Sequence, residues 1–302
     1  MIHPKIGKAL GPQQQLELHI QRPKEKDRNF LKGGRSFYFF DFDDNIAMLG
    51  TPTYVFHKET GKELELTSGQ FVEQSPFIGK VGVLKDYEIR FDDEKGSFRN
   101  FRDKNFSLLH KLLGRQQTFV EDLLVALGLP DLHWKGPSWP CFFHAVYNRR
   151  PVAVITARGH HPRTLKRGIQ EFVRKGHLPN EPNYLALYPV SHPQVRENLG
   201  LCATDSIAKL KQAAICAAVD RAFAEYGYNP HHRFGMSDDD PKNIHLIIEE
   251  MSRLKKIYSE NSFYVIETHG GKFVKREIFA DHTESAEFPS EQLNLFHVDS
   301  TP

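Results

Sequence analysis

Two clusters of acids are the residues in this chain best suited to chemistry. The first is Asp41, Asp43 and Asp44 in SFYFFDFDDNIAM, residues 36–48, and the second is Asp238, Asp239 and Asp240 in MSDDDPKN, residues 236–243. Carboxylates packed this closely repel one another unless something cationic lies among them. A hard divalent cation such as Mg2+, which takes oxygen ligands, answers that need. From the first segment alone, an Asp-rich turn that caps a following helix reads equally well.

A third chemical position is Thr156-Ala157-Arg158-Gly159, which follows the apolar run Pro151-Val-Ala-Val-Ile155. A hydroxyl, a guanidinium and the backbone N–H groups of a helix start suit an anionic group. Helix capping by Thr156 uses the same geometry, so both readings stand at this point. Lys209 and Lys211 lie in a long amphipathic segment, where a lysine is ordinarily a solvated surface residue. The adjacent pairs His160-His161 and His231-His232 are poorly placed to converge on one ion.

The elements that must position these residues alternate between strand and helix patterns. Four aromatics, Phe37 to Phe40, end abruptly at Asp41 and read as a buried strand that stops at an acidic loop. Further strands are expected at 151–155, 183–188, 233–236 and 262–267, with helices over 162–175, 204–226 and 244–258. Thr204 or Asp205 would cap the second of these helices, and Asp240 the third, ahead of Pro241. In an open α/β sheet ligands bind outside the carboxyl ends of the strands, where both acid clusters fall.

The stretch from residue 49 to 136 interrupts this alternation and is too long for a loop, so it reads as an inserted module. Residues 54–57 and 63–66 alternate about a Gly-bearing link, as do 87–91 and 97–101, and each pair predicts a β-hairpin. Apolar residues at helical spacing run from Phe106 to Leu127, interrupted at Gly114. Trp134 to Asn148 is dense in aromatics and carries Pro137 and Pro140 in the first turn of a short helix. The expected organisation is an N-terminal extension (1–34), a core (35–48 and 137–268), an inserted α+β module (49–136) and a C-terminal tail with a short β segment (269–302).

Composition narrows the classes of function. A net charge of +2, evenly spread, gives no electrostatic case for nucleic acid or an anionic membrane surface. No apolar stretch is long enough to span a bilayer, and the polar N-terminus lacks a signal-peptide pattern. Three cysteines, Cys141, Cys202 and Cys216, without metal-like spacing suggest reduced thiols in a cytoplasmic setting.

Taken in order, strand-Asp41-Phe42-Asp43, strand-Thr156, helix-lysine and strand-Asp238-Asp239 with Asn243 resemble the four motifs of the haloacid dehalogenase (HAD) superfamily. The similarity covers residues 35–48 and 137–268. It implies a Rossmann-like core with a five-stranded parallel sheet, and the insertion point between the first two motifs implies a C1-type cap, with the hairpin at 51–66 as a flap beside the catalytic loop.

The resemblance also implies roles. Asp41 would be the nucleophile and Asp43 the general acid and base. Thr156 and a lysine would hold the phosphoryl oxygens, Lys211 being favoured over Lys209. Asp41, Asp43 (through its backbone carbonyl), Asp239 and Asp238 would bind Mg2+. The implied activity is hydrolysis of a phosphomonoester of unknown size through an aspartyl-phosphate. A phosphotransferase or mutase of the same superfamily, or a non-catalytic binding protein on the same fold, is the alternative. Asp43 argues against dehalogenation, since family dehalogenases lack that second acid. Asn45, where many relatives have Thr or Val, Asp44, where many have Gly, and Asn243, where an acid is more frequent, depart from the pattern. The cap carries no readable substrate motif, and the sequence does not specify oligomeric state.

Overall fold

The structure of the protein is a computed structural model covering residues 23–92, 94–202, 204–268, 273–279 and 283–288. Its strands are β1 (Ser36–Phe40), β2 (Thr53–His57), β3 (Glu63–Leu66), β4 (Tyr87–Glu88), β5 (Pro151–Thr156), β6 (Asn183–Pro189), β7 (Arg233–Asp238), β8 (Ser262–Glu267), β9 (Phe273–Ile278) and β10 (Thr283–Phe288). Its helices are α1 (Ser68–Gln74), α2 (Leu108–Leu112), α3 (Thr118–Ala126), α4 (Asp131–Trp134), α5 (Trp139–Tyr147), α6 (Pro162–Arg174), α7 (Pro193–Asn198), α8 (Ile207–Tyr226) and α9 (Pro241–Ile257).

A mixed α/β architecture results. The main sheet has seven strands in the order β10-β9-β8-β7-β1-β5-β6. Strands β8, β7, β1, β5 and β6 run parallel to one another, and β9 and β10 extend the sheet in antiparallel fashion. The segment expected as a tail after residue 269 therefore continues the sheet through its described strands. Antiparallel pairing lets β9 follow β8 after a short link, without a crossover helix.

The aromatic run becomes β1 because alternate rings serve two cores. Phe37 and Phe39 pack beneath α8 and α9 with Ala214, Ile215, Ile247 and Phe263. Phe40 faces the opposite side with Phe142, Val154, Leu165 and Phe172. A strand buried on both faces has no polar alternation to show, as the burial of β1 and β5 illustrates. From β1 the chain crosses to β5 and β6 on one side, then returns to β7 and β8 on the other. The crevice at such a reversal is where open α/β sheets bind ligands.

The insert is partly a unit of its own. Strands β3-β2-β4 form a small separate sheet, with Val55, Leu66, Ile78 and Leu84 as its core. The first expected hairpin is present, pairing Thr53 with Leu66 through Phe56 with Glu63. The second is not. Tyr87 and Glu88 pair with β2, while Arg99–Phe101 form a 3-10 turn. Phe98 and Phe101 pack ring to ring here, so the aromatic spacing serves a compact turn instead of a strand.

The helical pattern of 106–127 splits into α2 and α3, with Gly114 between them at φ 70°. Phe119, Leu123, Ala126 and Trp134, although within the 49–136 stretch, belong to the same apolar cluster as Phe40 and Phe172. This close approach predicts a sensitive position. A Cβ on Gly168 of α6 would lie 2.4 Å from Cε1 of Phe119 and 2.8 Å from Cδ1 of Leu123. Gly168→Ala is therefore expected to push α3 off α6 and cost about 1–3 kcal/mol, measurable by urea denaturation.

Of the N-terminal extension, residues 1–22 lie outside the described residues. Its remaining part is docked at the amino end of the parallel strands. Asp27 accepts the Ser36 N–H at 2.9 Å and pairs with Arg150 at 2.7 Å, both side chains being nearly buried. Among the described residues no helix is long and apolar enough to cross a membrane.

Candidate active site

Neighbouring strand ends bring the acids together. β1 pairs with both β5 and β7, and the Asp41 N–H donates to the Ser237 carbonyl at 2.9 Å. Asp41, Asp238 and Asp239 each offer a carboxylate oxygen within 4.8 Å of the others. Lys211, 1% exposed, reaches in from α8, with Nζ 3.0 Å from Asp41 Oδ2 and 2.6 Å from Asp238 Oδ2. Lys209 is two residues away, on another face of the helix, and pairs with Asp205 at the surface. Of the two lysines, the structure brings Lys211, the favoured one, to the acids and leaves Lys209 at the surface. α8 is capped by Ser206, which accepts from the Lys209 N–H; neither Thr204 nor Asp205 fills that position.

Asp238 is held on both oxygens. Oδ2 meets Lys211, and Oδ1 accepts from the Asp240 N–H at 3.0 Å and from Asn243 Nδ2 at 3.2 Å. Asp240 turns away to cap α9 by accepting from the Lys242 N–H, as its place before Pro241 suggests. Asp41 differs: its Oδ1 is buried and has no hydrogen-bond partner. An orphaned carboxylate oxygen beside two further carboxylates fits a hard cation that takes oxygen ligands.

The electrostatics agree with that fit. Burial raises the Asp41 carboxyl well above the ordinary range; Lys211 opposes this, and Asp238, Asp239 and Asp43 add to it. Burial, then Asp238 and Asp44, push Asp239 up to about 7. Lys211 is raised although burial acts against its charge, because Asp238 and Asp41 hold the ammonium.

A carboxyl whose pKa is higher folded than unfolded adds stability below its unfolded value and loses that contribution as pH rises through the folded one. For Asp239 the window is about 4 to 7. The ion-free protein should therefore lose stability across that interval. Added Mg2+ should raise Tm more at pH 8 than at pH 6, because below about 7 the cation competes with a proton. Thermal melts with and without Mg2+ at the two pH values check this.

Asp43 stands outside the acid triad. Its carboxylate faces Arg158, with Nε 2.8 Å from Oδ2 and Nη2 2.6 Å from Oδ1. Thr156 Oγ1 lies 3.5 Å from Asp43 Oδ2 and accepts from the Arg158 N–H at 3.3 Å. Thr156 does not cap the next helix. α6 begins at Pro162, and His161 caps it by accepting from the Arg163 N–H. The guanidinium that the sequence offers to an anionic group is paired with an acid of the chain itself.

Further residues hold the site, among them two that depart from the motif pattern. Asn45 Nδ2 donates to the Asp41 carbonyl at 3.1 Å and to Ser237 Oγ at 2.7 Å, while its Oδ1 accepts from Thr268 at 2.9 Å. It thereby ties together the ends of β1, β7 and β8. Asp44, in the left-handed region at φ 53°, accepts from Ser68 Oγ at the start of α1. Thr51 accepts from Arg158 Nη2 at 2.7 Å and donates to Asp122. Proximity of Asn45 to Asp41 in the chain is a usable hint; Thr51, Ser68 and Asp122 arrive only through folding.

No protein-family model, no curated protein and no solved structure matches this chain.

Proposed function

We propose that this protein is a Mg2+-dependent phosphohydrolase of the HAD superfamily, acting on a phosphomonoester through Asp41. The observation that carries the reading is the buried Lys211 bridging Asp41 and Asp238 beside Asp239, with one Asp41 oxygen left unpartnered. On this reading the parallel strands form the Rossmann-like core, and residues 49–136 supply a cap. The absence of disulfide partners for Cys141, Cys202 and Cys216 suits a cytoplasmic protein.

Asp41, Asp239 and Asp238, with the Asp43 backbone carbonyl, would hold the ion. Bound there, Mg2+ supplies charge neutralisation between a carboxylate and a phosphoryl group that would otherwise repel each other. Asp41 would attack phosphorus through one carboxylate oxygen while the other faces the ion, and the bond to the leaving oxygen breaks as that oxygen takes a proton from Asp43. Water then attacks the aspartyl-phosphate, giving a proton back to Asp43 and releasing phosphate and the Asp41 carboxylate. Lys211 and Thr156 offer donors to the equatorial oxygens, where such groups act on developing charge.

Phosphate release from p-nitrophenyl phosphate, dependent on Mg2+ and suppressed by EDTA, tests the reading. A panel of phosphorylated sugars, nucleotides, lipids and phosphopeptides would then identify the substrate. No turnover across that panel, with Mg2+ bound, would turn the assignment toward a binding protein on the same scaffold.

A further inference from the structure

Residues 104–117 of the insert form a closed loop. The side-chain amide of Gln117 bonds both backbone groups of Lys104: Oε1 accepts the Lys104 N–H at 2.7 Å, and Nε2 donates to the Lys104 carbonyl at 3.0 Å. Just before this clasp, the Phe101 carbonyl accepts the Gly159 N–H at 2.8 Å, and Asp103 accepts the His161 N–H and the Thr164 hydroxyl. The base of the loop is therefore bonded to the chain that follows Thr156. A loop with its ends pinned together stands on the surface as one compact unit.

α2 occupies this loop and is built the wrong way round for a surface helix. Leu108, Leu109, Leu112 and Leu113 fall within one arc of about 140°, the last continuing the helix through its N–H to the Leu109 carbonyl. Such an arc ordinarily turns to the core. Here the four leucines are between 63% and 84% exposed, and none of the described residues covers them. His110, on the other side of the helix, is the half-buried one and packs on Phe106 with ring centroids 6.1 Å apart. Contiguous exposed leucines mark a contact surface.

The charge around the arc selects what that surface meets. Lys104, Lys111 and Arg115 lie in the loop, and residues 104–117 contain no acid. Lys104 and Arg115 are exposed near its two ends. The chain as a whole is too evenly charged to favour an anionic membrane, and this loop is a local exception. A second copy of the chain is disfavoured, since a two-fold contact sets a patch against itself and brings like cations together. A bilayer with anionic lipids offers apolar depth beneath a negative surface, which matches leucines flanked by cations.

We propose that the 104–117 loop docks the protein on an anionic membrane surface, with its four leucines entering the boundary between headgroups and acyl chains and Lys104 and Arg115 meeting negative headgroups. Docking of this kind needs no spanning helix. It gives the insert a function that the phosphohydrolase reading does not require, and the two stand or fall separately.

Flotation of the full chain with vesicles of phosphatidylcholine alone, and of phosphatidylcholine mixed with phosphatidylserine, tests the proposal. Wild type should float with the mixed vesicles and far less with phosphatidylcholine alone, and salt should release it. Leu109→Ser/Leu112→Ser should weaken binding by roughly 10²-fold, about tenfold for each leucine withdrawn from the interface. Lys104→Gln/Arg115→Gln should weaken it by roughly tenfold on the mixed vesicles only. Leu31→Ser, which removes a highly exposed leucine at the amino end of the parallel strands, is the control and should bind like wild type. All of these side chains are exposed, so Tm and turnover of soluble p-nitrophenyl phosphate should stay at wild-type values in every variant.

Wild type that floats with neither vesicle would overturn the proposal, as would a leucine variant that binds like wild type or an equal loss from Leu31→Ser. A wild-type dimer that Leu109→Ser/Leu112→Ser turns into a monomer would give the arc to a second copy, and vesicle binding that appears only after removal of residues 1–22 would give it to the chain's own amino-terminal segment; either result also overturns it. Flotation does not depend on catalysis. Wild type that binds the mixed vesicles yet hydrolyses no phosphoester would bring down the phosphohydrolase reading alone.

Discussion

Asp41→Asn is expected to abolish turnover, lowering kcat by about 10⁴-fold or more, because removing a nucleophile takes away an entire covalent route. The same change should not unfold the protein. Asp41 is a buried carboxyl that burial and three neighbouring acids raise well above the ordinary range, with Lys211 as its counterweight. An amide of the same shape removes that repulsion while Lys211 keeps Asp238 at 2.6 Å. Ion-free Asp41→Asn should therefore be as stable as wild type at pH 8, or more stable by about 1–2 kcal/mol, the usual direction when a strained functional charge is removed. Phosphate release and urea denaturation on the same preparation check both halves. Loss of activity with marked unfolding would mean that Asp41 is a structural acid.

Lys211→Met should behave in the opposite way, losing activity and stability together. Lys211 is buried and contacts two members of the triad. Deleting it strands carboxylates that keep no cation of the chain, and breaking a buried pair by removing one partner typically costs about 3–5 kcal/mol. The loss should be larger at pH 8 than at pH 6. With the ammonium gone, Asp41 and Asp239, both already raised, can be relieved by protonation at the lower pH. Mg2+ should recover part of the stability by supplying positive charge. Turnover should remain about 10²- to 10³-fold down even in Mg2+, as for loss of one electrostatic donor at a reacting centre. Lys209→Met is the control: its ion pair with Asp205 is exposed, and activity and Tm should both stay at wild-type values. Chemical denaturation at the two pH values, with and without Mg2+, separates these outcomes.

The two variants together divide the site's acids by function. Asp238 spends both oxygens on partners within the chain and so orients Lys211, whereas Asp41 keeps one oxygen without a partner. On the proposed reading, stability and chemistry would pull apart at neighbouring strand tips: the most tightly bonded acid would fix Lys211 at the edge of the ion site, and the least satisfied one would react.

The sequence by itself determined which segments become the five parallel strands and where the acids fall along them. Four aromatics ending at Asp41, the apolar run ending at Thr156 and the acids beginning at Asp238 are local signals. Strand burial and strand termination both depend on a few consecutive side chains. It also placed Asp240 as the cap of α9 and Gly114 as a break, since capping and left-handed backbone are decided within a turn. What only the tertiary structure decided is partnership over distance. Lys211 was separated from Lys209 by the face of α8 that packs on β5 and β6, Arg158 was turned from an offered anion site onto Asp43, and Thr51 and Asp122 reached the site from the insert. The second expected hairpin failed for the same reason, as Phe98 and Phe101 pack on each other in a 3-10 turn instead of pairing along a strand. Periodicity reports which residues seek burial. Which partner they meet depends on how non-local elements close around them, and no short window of sequence encodes that geometry.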